Sequence, residues 1–264
     1  MNAHPPEAEC RLVILLHGGP GAPGGLDGLA AGLGRLFRVM APSQRRSGGA
    51  PLTVGIHIDD VRTLIESLGG PPGRPALVGH SWGAMLALAV AAAHPMLVGP
   101  IALIGCGTFT ARARAVFQAA VDCRIDSAVR RRLEQLEEDS ADIDASFAAM
   151  GELLAPAFSF DLVEPPRTGR CDRRGHDETW ADMLRLQAEG VYPAAFRVID
   201  SPVLMLHGRD DPHPGGLIRD DLRHVMPHLE SNEFEQCGHY PWLERAARES
   251  FFEALCRWLE RHAR

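Results

Sequence analysis

The sequence predicts an α/β protein with a mostly parallel central sheet flanked by helices and a helical cap inserted after the fourth recognisable strand. Three observations predict it. Short apolar runs such as Leu12–Leu16 and 100–105 recur without the alternation of a one-sided sheet, which marks strands buried on both faces. Helical periods separate these runs, as β-loop-α repetition requires. From about residue 111 to 196 the strand signature lapses and charged helical periods replace it.

In chain order, Leu12–Leu16 is the first strand, followed by a glycine-rich loop over 18–25 and a short helix over 26–33. Residues 37–41 form the next strand and 42–51 a loop. Apolar residues at 54, 58, 61, 64, 65 and 68 give a helix over 53–68 with Thr53 as its cap. A buried strand over 75–78 leads through a turn into a helix over 82–93, and 100–105 is the fourth strand. Helices are expected over 111–120, 127–138, 143–154 and 178–187. Pro156, Pro165 and Pro166 break that segment, and 167–175 reads as an exposed, mobile loop. The strand signature returns at 202–207. A helix over 217–225, a last strand over 229–234 and a terminal helix over 241–259 with Pro241 in its first turn complete the pattern. The expected division is a core of residues 1–107 and 200–264 and a helical cap of 108–199, seated over the strand ends where open α/β sheets bind ligands.

Bulk properties narrow the function. The net charge of −7 argues against nucleic-acid binding, which calls for a basic face. The Arg130-Arg131-Arg132 run is answered by Glu134, Glu137 and Glu138 and reads as a solvated helix face. Cysteines at 10, 106, 123, 171, 237 and 256 have neither C-x-x-C nor metal-like spacing, which suits separate thiols in a cytoplasmic protein. No signal peptide or membrane span is expected, and no cofactor or metal.

The chemistry concentrates at Gly79-His80-Ser81-Trp82-Gly83, between a strand and a helix. That context makes G-x-S-x-G specific: the serine sits on a turn so tight that glycines must flank it, with its hydroxyl above the sheet. A serine needs a base to take its proton and an acid to orient that base. Ser81, Asp211 and His239 supply the three in the order expected when the nucleophile precedes acid and base. Asp211 follows the strand ending at His207, with Asp210 as its rival, and His239 lies in the loop before the last helix. Two backbone N–H groups must hold the developing oxyanion. Trp82, directly after the serine, and Gly19, in His17-Gly18-Gly19-Pro20-Gly21, are the candidates. His17 reads as a shaper of that loop and His80 as packing beneath the turn. His4, His94, His176, His224, His228 and His262 read as ordinary surface or helix-end groups.

These motifs, with His207-Gly208-Arg209-Asp210-Asp211 and Gly238-His239, resemble the α/β-hydrolase superfamily over nearly the whole chain, and the HGGPG run resembles proline iminopeptidases. The resemblance implies the α/β-hydrolase fold and acyl-enzyme chemistry by Ser81, Asp211 and His239, with Gly19 and Trp82 at the oxyanion hole. It further implies an aminopeptidase acting on a short peptide. A cap glutamate (among Glu134, Glu137, Glu138, Glu152, Glu164, Glu178 and Glu189) would then hold the substrate's amino terminus. The alternative is a carboxylesterase or a hydrolase of a small metabolite ester or lactone.

Overall fold

Six strands and nine helices order the residues described by the computed structural model, which are 11–69, 73–139, 141–167 and 169–263. His4 and Cys10, named above, lie outside them, as does Thr168. In chain order the elements are β1 (Leu12–Leu16), α1 (Asp27–Leu33), β2 (Arg38–Met40), α2 (Val54–Ser67), β3 (Ala76–His80), α3 (Trp82–Ala93) and β4 (Ile101–Ile104). Then come α4 (Ala111–Arg124), α5 (Ser127–Glu138), α6 (Ile143–Leu154), α7 (Arg173–Ala188), β5 (Val203–Gly208), α8 (Gly215–Arg223), β6 (Glu230–Phe234) and α9 (Arg248–His262). Among the described residues the sheet runs β2-β1-β3-β4-β5-β6, with every pair parallel.

Successive side chains on a strand point to opposite faces, and here both faces are covered. Ile14, Leu16, Leu77, Leu103 and Met205 pack with α2, α3 and α8. Val13, Leu15, Val78, Ile104 and Leu206 pack with α1 and α9. That double burial is why these strands read as unbroken apolar runs. Helix α3 is buried from Trp82 to Ala91, a central helix with no solvated stripe. Strand β6, at one edge of the sheet, is mostly exposed and carries Glu230 and Glu233, charges that discourage further strand pairing.

The register brings the C-terminal ends of the strands to one rim: Leu16 pairs with Gly79, His80 with Ile104, Ile104 with Leu206 and Gly208 with Phe234. Strand β1 sends the chain to β2 on one side and lies beside β3 on the other. The crevice between the loops after β1 and β3 is therefore the topological switch point, where such sheets bind ligands.

The helical insertion after β4 is present. The two largest departures from the expected boundaries are the starts of α7 and α9. Helix α7 starts at Arg173, inside the expected loop over 167–175, because the buried Asp172 caps it: its carboxylate accepts the Gly175 N–H at 3.0 Å. The same carboxylate accepts the Ser47 N–H at 2.5 Å and its hydroxyl at 2.8 Å. Farther along α7, Glu178 accepts the Leu52 N–H and Asp182 the Val54 N–H, each at 2.8 Å. Helix α7 is thus tied to the loop that opens α2, where Thr53 caps as expected by accepting the Ile56 N–H. Helix α9 starts at Arg248, and turns fill residues 241–247. The reason is the buried carboxylate of Glu244, which accepts the Gly238 N–H and two N–H groups of the segment after α6.

Candidate active site

The elbow follows from steric necessity. Ser81 has φ 55° and ψ −118°, a conformation costly for a side-chain-bearing residue. Its surroundings enforce it. Ser81 donates its N–H to the Ile104 carbonyl at 2.8 Å, and its own carbonyl accepts the Ala84 N–H at 3.0 Å. A Cβ at Gly79 would overlap the Gly83 carbonyl, and one at Gly83 would overlap the Leu16 carbonyl. Only glycine lets β3, α3 and the end of β1 approach this closely. A Cβ on Gly18 would lie 3.0 Å from Ser81 Cβ, so the loop after β1 runs directly beside the serine.

That loop is locked to the elbow by Gln44. The Gln44 N–H donates to His17 Nε2 at 3.1 Å, its side-chain amide donates to the His17 carbonyl at 2.9 Å, and its Oε1 accepts the buried Trp82 Nε1–H at 2.8 Å. His17 in turn donates Nδ1–H to the Gly18 carbonyl at 2.9 Å. These bonds fix His17 as a neutral imidazole, and burial holds its pKa below the ordinary value. Gly19 has φ +51°. Among the described residues neither the Gly19 nor the Trp82 N–H has a hydrogen-bond acceptor, and Trp82 opens α3, where first-turn N–H groups are free by geometry.

His176, expected as a surface or helix-end group, lies half-buried in the first turn of α7, where it donates Nδ1–H to the Pro20 carbonyl at 2.9 Å and packs on Phe147 of α6.

Asp211 and His239 meet across the loops after β5 and β6. His239 Nδ1 donates to Asp211 Oδ2 at 2.6 Å, a short charge-assisted bond. Asp210 is turned away: its carboxylate accepts the Cys237 N–H at 3.2 Å. The His239 ring reaches the rim beside the elbow. An added Cβ on Gly105, the residue after β4, would come within 2.8 Å of His239 Nδ1. His80, adjacent to Ser81, donates Nε2–H to the His239 carbonyl at 3.0 Å, with ring centroids 4.6 Å apart. Burial, opposed by the Asp211 charge, holds His239 below the usual histidine value. Burial alone would raise the Asp211 carboxyl, but His239, His213 and His207 hold it well below the usual carboxylate range.

Sequence reasoning missed two residues here. Glu244 is fully buried, and its carboxylate accepts three backbone N–H groups: Phe160 at 2.9 Å, Asp161 at 2.7 Å and Gly238 at 2.9 Å. With the His239 N–H donating to the Phe158 carbonyl at 2.7 Å, it ties the His239 loop to the segment after α6 and holds 241–247 in turns. His213 is the second; it donates Nδ1–H to Asp211 Oδ1 at 2.9 Å. Its place two residues beyond the acid in Asp211-Pro212-His213 was the available signal.

Asp211, His213 and His239 are also, among the described residues, the cluster with metal-ligand chemistry. A tetrahedral zinc with ligands at about 2.0–2.1 Å keeps them about 3.3 Å apart. Here the imidazole nitrogens sit 2.6 and 2.9 Å from the carboxylate oxygens and are committed to hydrogen bonds.

Residues 13–250 match the model of the alpha/beta hydrolase family. The chain belongs to that family. This α/β-hydrolase is 26% identical to the 2-hydroxymuconate semialdehyde hydrolase of Pseudomonas putida, over 89% of this chain and 83% of the relative. It is 28% identical, with the same coverage, to a 2-hydroxy-6-oxononadienedioate/2-hydroxy-6-oxononatrienedioate hydrolase of Burkholderia vietnamiensis. Among solved structures, the meta-cleavage product hydrolase CumD of Pseudomonas fluorescens superposes with a TM-score of 0.64 at 17% identity, covering 96% of this chain and 92% of that one. As a family member the chain is a hydrolase with a Ser-Asp-His set of side chains.

The resemblance to proline iminopeptidases, and with it the aminopeptidase function, is corrected by these relatives, whose names place them among hydrolases of small metabolites. The helical insertion agrees on physical grounds. Of the seven glutamates considered for an amino terminus, all but Glu178 are exposed. Glu178 is spent on the Leu52 N–H and Arg174. No helix among the described residues is long and apolar enough to cross a membrane.

Proposed function

We propose that this α/β-hydrolase is a serine hydrolase of a small carbonyl metabolite, a ring-cleavage product or carboxylic ester. Ser81 is the nucleophile, His239 the base and Asp211 the acid that orients it; the N–H groups of Gly19 and Trp82 hold the oxyanion. Residues 108–199 act as the cap over a core of 1–107 and 200–264. Five separate free thiols among the described residues favour a cytoplasmic setting. The observation that carries the reading is the 2.6 Å Asp211–His239 bond, on the same rim as a serine held at φ 55°.

With Nδ1 bonded to Asp211, His239 has Nε2 left to take the Ser81 proton as Oγ attacks the substrate carbonyl. The oxyanion forms against the two free N–H groups, where preorganised donors act most strongly. Collapse expels the leaving group, which receives the proton from His239, and water repeats the cycle to free Ser81. Among the described residues the cap holds no uncommitted buried carboxylate, and this and the names of the relatives support a substrate without an ammonium group.

The test pairs labelling with turnover. Ser81 is expected to react with a fluorophosphonate probe, and the protein to hydrolyse short p-nitrophenyl esters or 2-hydroxymuconate semialdehyde but not proline arylamides. Ser81→Ala should lower kcat by about 10⁴ or more. A protein that neither labels nor turns over any of these substrates overturns the reading.

A further inference from the structure

Asp211 does not serve one imidazole. Its side chain is wholly buried, and a buried carboxylate must have its charge met by donors. Oδ2 takes His239 Nδ1–H, while Oδ1 takes both the backbone N–H and the Nδ1–H of His213, each at 2.9 Å. His207 Nε2 stands 3.5 Å from Oδ2 and donates to the His213 carbonyl at 3.0 Å, holding the turn that presents His213.

The rings are also ordered. His213 and His239 stack with centroids 4.7 Å apart and planes 21° from parallel. Phe117 of α4 stacks on His213 at 4.2 Å and 18°. Two near-parallel partners on one ring occupy its opposite faces, so Phe117, His213 and His239 form a three-ring column from the helical insertion to the base. Phe158 packs near both imidazoles, edge-on to His239. Among the described residues, the titratable groups around His213 are Asp211 and His207 from the β5 side, His239 from the β6 side and, behind His239, His80 at the end of β3. Helix α4 presents Phe117 and the segment after α6 presents Phe158, while Arg124 of α4 is held on the Asp210 and Ala157 carbonyls.

We propose that His213 is a positioning residue for the Asp211–His239 pair. Its Nδ1–H fixes the free oxygen of the acid, so that the carboxylate presents Oδ2 to His239 in one orientation, while its ring backs the base. The proposal rests on the reading of Ser81, Asp211 and His239 given above. It differs from a packing role because the N–H, not the ring alone, carries the effect. It also predicts a sign: an uncharged, non-donating ring leaves the Asp211 charge less shared, which favours the protonated base and moves the acid limb of activity to higher pH.

Two variants separate the alternatives. His213→Phe keeps the ring column and the backbone N–H bond but loses the side-chain donor. His213→Asn keeps a donor at the Nδ1 position and loses the ring. With p-nitrophenyl acetate, His213→Phe is expected to lower kcat about 10- to 100-fold, the value of a hydrogen bond to a charged group. KM should stay within about twofold, and the acid limb should rise. His213→Asn should recover most of kcat. Thermal unfolding of each variant shows that it is folded. Phe with wild-type kcat and an unmoved limb, or Asn no better than Phe, overturns the proposal. If wild-type Ser81 fails to label, the parent reading falls on its own. The downfield proton resonance of His239 Nδ1–H, which needs no substrate, then still decides: it should shift in the Phe variant and return towards its wild-type position with Asn, and a resonance unmoved in both overturns the role of His213.

Discussion

At the β1–β3 end of the sheet rim the candidate site is held by backbones in contact, whereas at the β5–β6 end it is held by carboxylates buried beneath N–H groups. Ser81 keeps its turn because Gly79 and Gly83 let three segments touch. His239 keeps its place because Asp211 and Glu244 between them accept N–H groups from His213, His239, Phe160, Asp161 and Gly238. The first arrangement tolerates no added atom. The second tolerates shape changes but no lost acceptor, since each buried donor left unsatisfied costs about 1–3 kcal/mol. Both ends therefore resist substitution, for opposite reasons.

The largest effect should come from the contact end. Gly83→Ala places a methyl group on the Leu16 carbonyl and should cost about 3 kcal/mol or more through forced separation of β1 and α3. Chemical denaturation and fluorophosphonate labelling should fall together; a variant with wild-type stability and labelling would break the contact half of the comparison. The polar end should respond in steps. Glu244→Ala strands three donors and should cost about 3 kcal/mol or more. Glu244→Gln can keep an oxygen where Oε1 meets Phe160 and Gly238, leaving only Asp161 facing an amide NH₂, and should cost about 1–3 kcal/mol. kcat should fall in the same order because the His239 loop loosens. Equal unfolding midpoints for the two variants would show that the three N–H bonds do not act as separate acceptances.

The same contrast explains what could be read from the amino-acid order. Steric demands are local: Gly79-His80-Ser81-Trp82-Gly83 states its own turn, and runs such as Leu12–Leu16 state double burial. The glycine-rich loop after β1, proposed to carry the Gly19 oxyanion donor, stands out in the sequence for the same reason, and Asp211 and His239 could be picked as the proposed acid and base from their strand-end positions. Partnerships between distant polar groups left no local trace. Glu244 meets Phe160 across 84 positions, and Asp172 meets Ser47 across 125. Hence the start of α7 reads as loop and the turns over 241–247 read as helix in the sequence alone. The substrate class failed for a related reason. The HGGPG run reports how a loop lies beside Ser81, whereas the fate of each glutamate in the helical insertion depends on which arginine or N–H it meets in space.

The smallest expected effect concerns protons, and it sharpens the account of the polar end. As the proposed base, His239 can accept a proton only when neutral. Burial disfavours its charged form and outweighs the attraction of Asp211, so its pKa lies below the ordinary 6.5. The acid limb of kcat/KM should therefore fall below pH 6.5, with activity retained above it. Stability moves in the same direction. Burial holds His57 at about 4, against 6.5 as its ordinary value. The unfolded chain then binds protons first as pH drops, and stability present above 6.5 is lost progressively towards pH 4. The kinetic limb must accordingly be measured by brief pH jumps with return to neutral pH. Activity that returns in full reports His239, whereas a limb at or above 6.5 would mean that Asp211 outweighs burial and that its charge is less shared among N–H donors than the polar end of this rim implies.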